Sequence, residues 1–243
     1  MRFRLFLLVA LCGCVELSHQ HSVSLPADGI ESAFVDIERG DLQWVGEVGS
    51  DTLALEVWTQ AGGATAGRAG RNEASIDWGV WKDEQTVSAW SYTPALSSRA
   101  DWWVVGPDSM ALDILSPEGT ISVQGVRGNH LLTASGINLD RVSGDIDAYS
   151  SRLGLTAALE PEVGDVITLH AVDGDVWLML PEGVEMDLEV FADPVWGMEI
   201  VNLGFDRYTS LPGYFAAETG EARTSITVYV DNGGFVLLPS DVM

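Results

Sequence analysis

The sequence predicts a single-domain, all-β protein built as a β-helix-like stack of short strands with Gly-Asp corners. Two observations lead to this fold class. Apolar and polar residues alternate with a period of two in many short runs, which is typical of half-buried strands. A glycine followed closely by an apolar residue recurs along the chain, which indicates a corner that is used repeatedly. No window carries the apolar spacing of a long amphipathic helix.

The alternating runs are clearest at three places. Leu53–Val57 puts its aliphatic side chains on one face, and Met186–Val190 separates two acidic residues from three apolar ones. Ser225–Val230 repeats the pattern. Gly-Asp, Asn-Gly and Pro-Glu-Gly turns lie between such runs, so each run is expected to be one strand.

The corners share a glycine, a small polar residue and then a branched apolar residue. The instances are Gly40-Asp41-Leu42, Gly119-Thr120-Ile121, Gly144-Asp145-Ile146, Gly164-Asp165-Val166 and Gly174-Asp175-Val176. The corner glycines Gly119, Gly144, Gly164 and Gly174 and a weaker copy at Gly197 are 25, 20, 10 and 23 residues apart, which predicts coils of roughly 20 residues with more than one corner each. Glycine supplies a positive φ, and the aspartate beside it is expected to bond to nearby backbone amides.

The corner aspartates also allow two chemical interpretations. Stacked carboxylates could bind Ca²⁺, which takes six to eight oxygen ligands, or could act as the acids of a polysaccharide-cleaving β-helix. The irregular spacing departs from the calcium-binding nonapeptide repeat, and the sequence indicates no groove. Corner geometry is therefore the favoured interpretation, with no metal and no catalytic residue assigned.

The N-terminus predicts an export signal. Arg2 and Arg4 precede the apolar run Leu5–Leu11, which is shorter than the roughly 20 residues of a membrane-spanning helix. Leu11-Cys12-Gly13-Cys14 resembles a lipobox, so residues 1–13 are predicted to be a lipoprotein signal peptide. Cys14 would then carry the lipid, which leaves no cysteine free for a disulfide. Ordinary cleavage and free secretion is the alternative.

The chain is strongly acidic. It has 12 basic and 36 acidic residues and a formal charge of −24, and Lys82 is its only lysine. Loss of Arg2 and Arg4 with the signal would bring the charge to −26. Such a surface repels nucleic acids, which are excluded as partners. The acidity is typical of a secreted protein from a saline setting, and cation bridging to acidic polymers is the alternative.

A series of motifs follows one order along the chain. It comprises Ile37–Gly46, the extended Val104–Pro107, the alternating Met110–Ile114, and the Gly-containing segments Gly119–Gly128, Arg141–Ile146 and Val172–Pro181. In this order they resemble the bacterial putative-adhesin family of β-strand repeat proteins. The resemblance covers nearly the whole mature chain. It implies a β-solenoid on the cell envelope with an adhesion-like role, and it supplies no catalytic residues.

The mature chain divides into a short tether at 14–24 and a β-solenoid domain at 25–243. Within the domain, the small residues of 61–72 predict a flexible loop, and 77–103 is a Trp-rich insertion or flank. Val176–Leu180 is apolar at every position, which predicts a strand covered on both faces.

Five tryptophans lie in the Trp-rich segment, a density unusual for a thin repeat coil: Trp78, Trp81, Trp90, Trp102 and Trp103. The favoured interpretation is core or capping use, because the ends of a strand stack need covering. The alternative is a glycan- or partner-binding surface, since aromatic faces can stack on sugars. Trp102 and Trp103 would face opposite sides of one strand, so one of them is expected in the core.

The residues predict a binding protein rather than an enzyme. His130 and His170 have no serine or cysteine nucleophile motif around them, and His19 and His21 are interpreted as part of the tether, with a metal-holding pair as the alternative. The predicted function is a lipid-anchored, adhesion-like cell-envelope protein without cofactor, whose partners are the membrane and envelope proteins or glycans. Val15 after the lipidated cysteine favours the outer membrane, if the cell has two. The alternatives are a carbohydrate-active β-helix enzyme and a purely structural envelope component.

Overall fold

The structure, a computed structural model, describes residues 8–9 and 15–240. Within these residues it has twenty strands and one short helix, so the all-β prediction is confirmed. The described part of the chain contains no helix long and apolar enough to span a membrane.

The elements in order are β1 (Leu8–Val9), β2 (Val15–Pro26), β3 (Ser32–Ile37), β4 (Leu42–Glu47), β5 (Thr52–Gly63), α1 (Ala66–Glu73), β6 (Asp77–Asp83), β7 (Thr86–Tyr92), β8 (Ser98–Pro107), β9 (Ala111–Gln124), β10 (His130–Val142), β11 (Ile146–Ser150), β12 (Leu155–Leu159), β13 (Val166–Asp173), β14 (Val176–Leu180), β15 (Met186–Ala192), β16 (Met198–Ile200), β17 (Arg207–Leu211), β18 (Tyr214–Glu218), β19 (Thr224–Asn232) and β20 (Phe235–Pro239).

The strands pair in two ladders. The first ladder has the order β6-β7-β3-β9-β10-β11-β13-β19-β15-β18-β17. The second ladder has the order β1-β2-β5-β8-β4-β9-β10-β12-β14-β20-β16. The long strands β9 and β10 contribute their first halves to the first ladder and their second halves to the second. All strands therefore belong to one continuous sheet, which is not closed.

The middle of each ladder is parallel and in register. Equivalent positions of the first ladder are occupied by Leu112, His130, Ile146 and Ile167, which are 18, 16 and 21 residues apart. In the second ladder, residues in register from Ile121 to Val176 are 16, 18 and 21 residues apart. Each such coil of the chain gives one strand to each ladder. The inward-facing aliphatic residues of both ladders form a single hydrophobic core.

Each Gly-Asp corner joins a strand of one ladder to a strand of the other. Gly40, Gly144, Gly164 and Gly174 have φ values of 144°, 98°, 101° and 92°, which a side chain would strain. Each corner aspartate accepts a hydrogen bond from a backbone N–H of the adjacent coil: Asp41 from Thr120 (2.8 Å), Asp145 from Val166 (2.8 Å), Asp165 from Gly144 (2.9 Å) and Asp175 from Gly234 (2.8 Å). The carboxylates thus satisfy amides that the strand ladders leave unpaired at each bend.

Residues Val15–Pro26 form a strand where the sequence predicted a tether at 14–24. This strand, β2, pairs antiparallel with β5 along its whole length, from Val15 opposite Gly63 to Pro26 opposite Thr52. Its composition is polar because only one face packs on the protein, through side chains such as Val23 and Leu25. Cys14, the predicted lipidation site, lies outside the described residues, as does most of the predicted signal peptide.

Residues 61–72 contain the end of β5 and most of α1, where the sequence predicted a flexible loop. Thr65 caps the helix by accepting a hydrogen bond from the Arg68 N–H. Ala69 is fully buried, and Asn72 Nδ2 donates to the Gly62 carbonyl over 2.8 Å. The prediction failed because the small residues that are typical of a linker here let the helix pack closely on β5.

The strand Val176–Leu180 is fully covered on one face and only partly covered on the other. Val176, Leu178 and Leu180 face the core, and Met179 is also buried. Trp177, however, points outward from the second ladder and is 43% exposed.

His130 occupies an inward position of the first ladder, in register with Leu112 and Ile146. It is 3% exposed, and neither ring nitrogen makes a hydrogen bond of normal geometry with the described residues. Burial lowers the pKa of His130 to about 4, although the backbone of Ser143 acts in the opposite direction. The folded protein therefore holds this histidine neutral at pH 7.

Replacement of Gly144 by alanine should destabilise the fold more than replacement of Gly164. Both glycines have nearly the same φ, so either substitution adds about 1–2 kcal/mol of backbone strain. A Cβ on Gly144 would lie 2.0 Å from the Gly128 carbonyl oxygen, whereas a Cβ on Gly164 meets no atom within 4 Å. Urea unfolding should therefore show a further loss of about 1–3 kcal/mol for Gly144→Ala. Equal losses would mean that coil-to-coil contact does not limit this corner.

Replacement of His130 by leucine should reduce the dependence of stability on pH. The unfolded chain takes up a proton near pH 6.5, but the folded chain takes it up only near pH 4. The unfolding free energy of the natural chain should therefore fall by roughly 3 kcal/mol more than that of His130→Leu between pH 7 and pH 4. Denaturation curves at several pH values measure this difference, and parallel pH profiles would contradict it.

Candidate ligand-binding surface

The structure separates the five predicted tryptophans. Trp102 is buried between the ladders, where its Nε1 donates to Ser91 Oγ over 3.1 Å. The ring of Trp78 packs edge-on against it, with centroids 6.3 Å apart. Because Trp78 belongs to β6 and Trp102 to β8, this pair joins the two ladders at one end of the core. These two tryptophans have a packing role.

The other three tryptophans lie on two different surfaces. Trp81 and Trp90 point outward from the first ladder, where Trp90 lies over Gly79 so closely that a Cβ there would be 2.4 Å from its ring. Trp103 points outward from the second ladder and is 48% exposed. The five tryptophans therefore do not form one platform.

Two further tryptophans share the outer face of the second ladder with Trp103. These are Trp58 on β5 and Trp177 on β14, with 42% and 43% exposure. Neither was predicted as a binding residue, although the alternation of Leu53, Leu55 and Val57 toward the core places position 58 on the opposite face. The alternation of inward and outward residues along β5 could therefore have identified Trp58 as an outward-facing residue.

Trp58 and Trp103 border an open cleft of about 490 Å³. Their strands are antiparallel neighbours, with Trp58 opposite Asp101 and Trp103 opposite Glu56, so the two rings are offset diagonally. The remaining lining includes Gln43 and Ser122. The cleft thus combines two indole rings with a polar floor, which is the composition of many small-molecule sites.

Arg99 organises the charged side of this cleft. It forms ion pairs with both Asp41 and Asp101, and Asp101 also accepts the backbone N–H of Asp41 over 2.9 Å. Burial alone would raise the pKa of Asp41, but hydrogen bonds from the backbone and hydroxyl of Thr120 and from Arg99 lower it overall. Both carboxylates are therefore bonded and fixed in position, and the lowered pKa of Asp41 favours its ionised form.

A row of aromatic side chains crosses the outer face of the first ladder. Neighbouring ring centroids are 5.2–5.8 Å apart in the order Tyr149, His170, Tyr229, Phe191 and Tyr214. These rings engage one another across adjacent strands, which stabilises strand pairing and leaves less ring face for a ligand. Within the described residues, no aromatic ring pairs with Trp58, Trp103 or Trp177. The second ladder therefore offers the freer aromatic faces.

The histidines near the N-terminus are held in place by β2. His19 Nδ1 lies 2.9 Å from Glu73 Oε1, and the ring of His21 lies 4.6 Å from that of Trp78. Burial lowers the pKa of His21, which favours its neutral form. Across the described residues, no three His, Cys, Asp or Glu side chains are grouped so that they could hold a metal ion.

Comparison with known proteins bears on the fold. No protein-family profile and no curated protein matches the chain. Among solved structures, it resembles a putative cell adhesion protein from Clostridium sporogenes ATCC 15579, with 12% identity, coverage of 91% of this chain and 99% of the other, and a TM-score of 0.50. A putative adhesin from Bacteroides fragilis NCTC 9343 aligns over 90% of this chain and 96% of its own, with 8% identity and a TM-score of 0.25. A putative adhesin from Parabacteroides merdae ATCC 43184 aligns over 90% of this chain and 95% of its own, with 7% identity and a TM-score of 0.24. Both TM-scores are too low for a structural argument. The likeness to the Clostridium protein concerns the fold alone, which is nearly all-β in this chain.

Proposed function

We propose that the protein is an exported, lipid-anchored cell-envelope protein that binds glycans in an adhesion-like role, without catalysis. The observation that carries this proposal is the cleft between Trp58 and Trp103, whose ring faces are free and whose floor is polar. The face of an indole ring carries negative partial charge, which attracts the polarised C–H groups on one face of a sugar ring. The polar floor can bond to the hydroxyl groups.

The body of the protein is proposed to be a β-solenoid. Support comes from the parallel middle of both ladders, where each coil of 16–21 residues gives one strand to each ladder. The corner aspartates, which bond from coil to coil, also support it. Such a body displays a long outer face made of equivalent positions on successive strands.

Binding without turnover is proposed because of the state of the carboxylates in the cleft. Cleavage of a glycosidic bond needs a carboxyl group that remains protonated to act as general acid. Asp41 and Asp101 instead bond to Arg99, and the pKa of Asp41 is lowered. These carboxylates suit a fixed binding floor.

The glycan proposal is tested with the mature chain, residues 14–243 carrying Cys14→Ser, on a glycan array and then by titration calorimetry. Trp103→Ala should weaken binding about five- to tenfold, because it removes one stacking face worth about 1 kcal/mol. Its unfolding free energy should fall by less than that of Trp102→Ala, which should lose about 3–5 kcal/mol because Trp102 is buried.

The matched control is Trp81→Ala, which removes an exposed tryptophan from the other ladder and should bind like the natural chain. The proposal is wrong if no glycan binds, or if Trp103→Ala retains full affinity. Release of shortened sugars from a bound glycan would overturn the absence of catalysis.

The anchor is tested by exchange of Cys14 for serine in cells. Serine cannot form the thioether to diacylglycerol, so Cys14→Ser should lose incorporation of a labelled fatty acid and leave the membrane fraction. Cys12→Ser, which lies in the predicted signal peptide, should keep both. Unchanged fatty-acid labelling of Cys14→Ser would contradict the proposed lipid anchor.

A further inference from the structure

A row of short polar side chains crosses the outer face of the second ladder. We call it the polar lane, and its members are Gln43 on β4, Ser122 on β9, Asn138 on β10 and Thr156 on β12. Each member is directly in register with the next. Trp103 is in register with Gln43 at one end, and Trp177 is in register with Thr156 at the other. Six consecutive strands thus present tryptophan, four uncharged polar residues and tryptophan in one line.

The lane has the length of an oligosaccharide. From Trp103 to Trp177 there are five steps between neighbouring strands, which correspond to about 24 Å. The spacing of neighbouring strands, about 4.8 Å, is close to the length of one pyranose unit in an extended, β-1,4-linked chain. A chain of five or six sugars laid across the strands would therefore reach both tryptophans.

The polar groups of the lane are free to bond to a ligand. Among the described residues, none of the four lane side chains forms a hydrogen bond with another side chain or with the backbone, while Thr120 and Gln124 beside them are bonded to Asp41 and Asp140. Amide and hydroxyl groups both donate and accept hydrogen bonds, as sugar hydroxyls do. The lane is thus chemically matched to a polyol.

The cleft beside Trp58 and Trp103 continues along the lane. A second cleft of about 370 Å³ is lined by Asn138, Thr156 and Trp177, and it shares Thr120 and Ser122 with the first. The second cleft, like the first, has polar lining next to an exposed tryptophan. The two clefts are therefore adjacent along the lane and share part of their lining.

The charges around the lane favour a neutral ligand. The lane itself carries no titratable group, and the nearby Asp175 is bonded to the Gly234 N–H over 2.8 Å. The charge of −24 on the whole chain repels anionic polysaccharides. A peptide strand is also disfavoured, because the lane lies on the face of the ladder and the backbone groups beneath it are already paired with neighbouring strands.

We propose that the lane binds an extended, neutral, β-1,4-linked polysaccharide that runs across the strands from Trp103 to Trp177. This inference rests on the proposed glycan-binding function and adds the ligand class, its direction and a second stacking residue. Trp103 and Trp58 bind one end of the chain, the lane bonds to the middle sugars, and Trp177 stacks on a distant sugar. Affinity should therefore increase with the number of sugars.

The test compares short and long ligands on the mature chain carrying Cys14→Ser. The probes are the disaccharides and hexasaccharides of β-1,4-linked glucose and of β-1,4-linked N-acetylglucosamine, measured by titration calorimetry. For at least one of the two series, the hexasaccharide should bind at least about tenfold more tightly than the disaccharide. Trp177→Ala should weaken hexasaccharide binding about five- to tenfold and leave disaccharide binding unchanged. Trp103→Ala should weaken both.

Two further variants separate binding from folding. Thr156→Val exchanges the lane hydroxyl for a methyl group of the same shape, so it should weaken hexasaccharide binding a few-fold without loss of stability. Trp81→Ala should change neither affinity. Hexasaccharide binding that is insensitive to Trp177 and Thr156 would overturn the lane, yet the glycan-binding function would stand if Trp103→Ala still weakened it. Failure of both series to bind would also overturn the lane, and the glycan array would then decide whether the broader function survives.

Discussion

The contact between one coil and the next at each Gly-Asp corner is the constraint on which the structure depends. Parallel strands stay in register only if each coil bends at the same position along its strands as the neighbouring coil. At Gly144 the backbone passes so close to Gly128 that no side chain fits between them. The carboxylate of Asp165 then accepts the Gly144 N–H, and Asp145 accepts the N–H of Val166 in return. These two reciprocal hydrogen bonds fix the position at which each coil bends and the register of its strands with those of the next coil. The outward-facing residues of neighbouring strands therefore line up in rows.

The ends of the two ladders are built differently, because a parallel ladder leaves an unpaired strand edge at each end. At the N-terminal end, β2, β5 and β8 pair antiparallel, α1 packs against β2 and β5, and Trp78 of β6 packs against Trp102 of β8. At the other end, the β17–β18 hairpin extends the first ladder beyond β15. The segments that depart from the repeat in sequence are thus those that cover the ends. This explains why the Trp-rich segment lies in the half of the chain that forms the N-terminal end.

Features set by local chemistry could be predicted from the sequence, and features set by the order of the coils could not. Alternation over Met186–Val190 and Ser225–Val230 predicts two strands, and both are present as parts of β15 and β19. Their pairing is nonlocal, because β19 lies between β13 and β15 in space although it follows both in sequence. The same limit applies to the candidate site. The row from Trp103 to Trp177 joins residues up to 134 positions apart in sequence, which only the stacking order brings into one line.

The outer faces of the first and second ladders have the same in-register strand pairing but carry different side chains. On the first ladder, register brings Tyr229 and Phe191 into contact, with ring planes only 11° apart. Aromatic rings in adjacent positions bind each other, so this face uses its rows to stabilise the sheet. On the second ladder, Trp103 and Trp177 are separated by four small polar residues, too far apart to touch. Their ring faces stay in solvent at a cost in hydrophobic free energy that no internal contact offsets. A ligand long enough to cover both rings and the polar groups between them would recover that free energy, which is why spacing rather than the number of aromatic residues distinguishes the two faces.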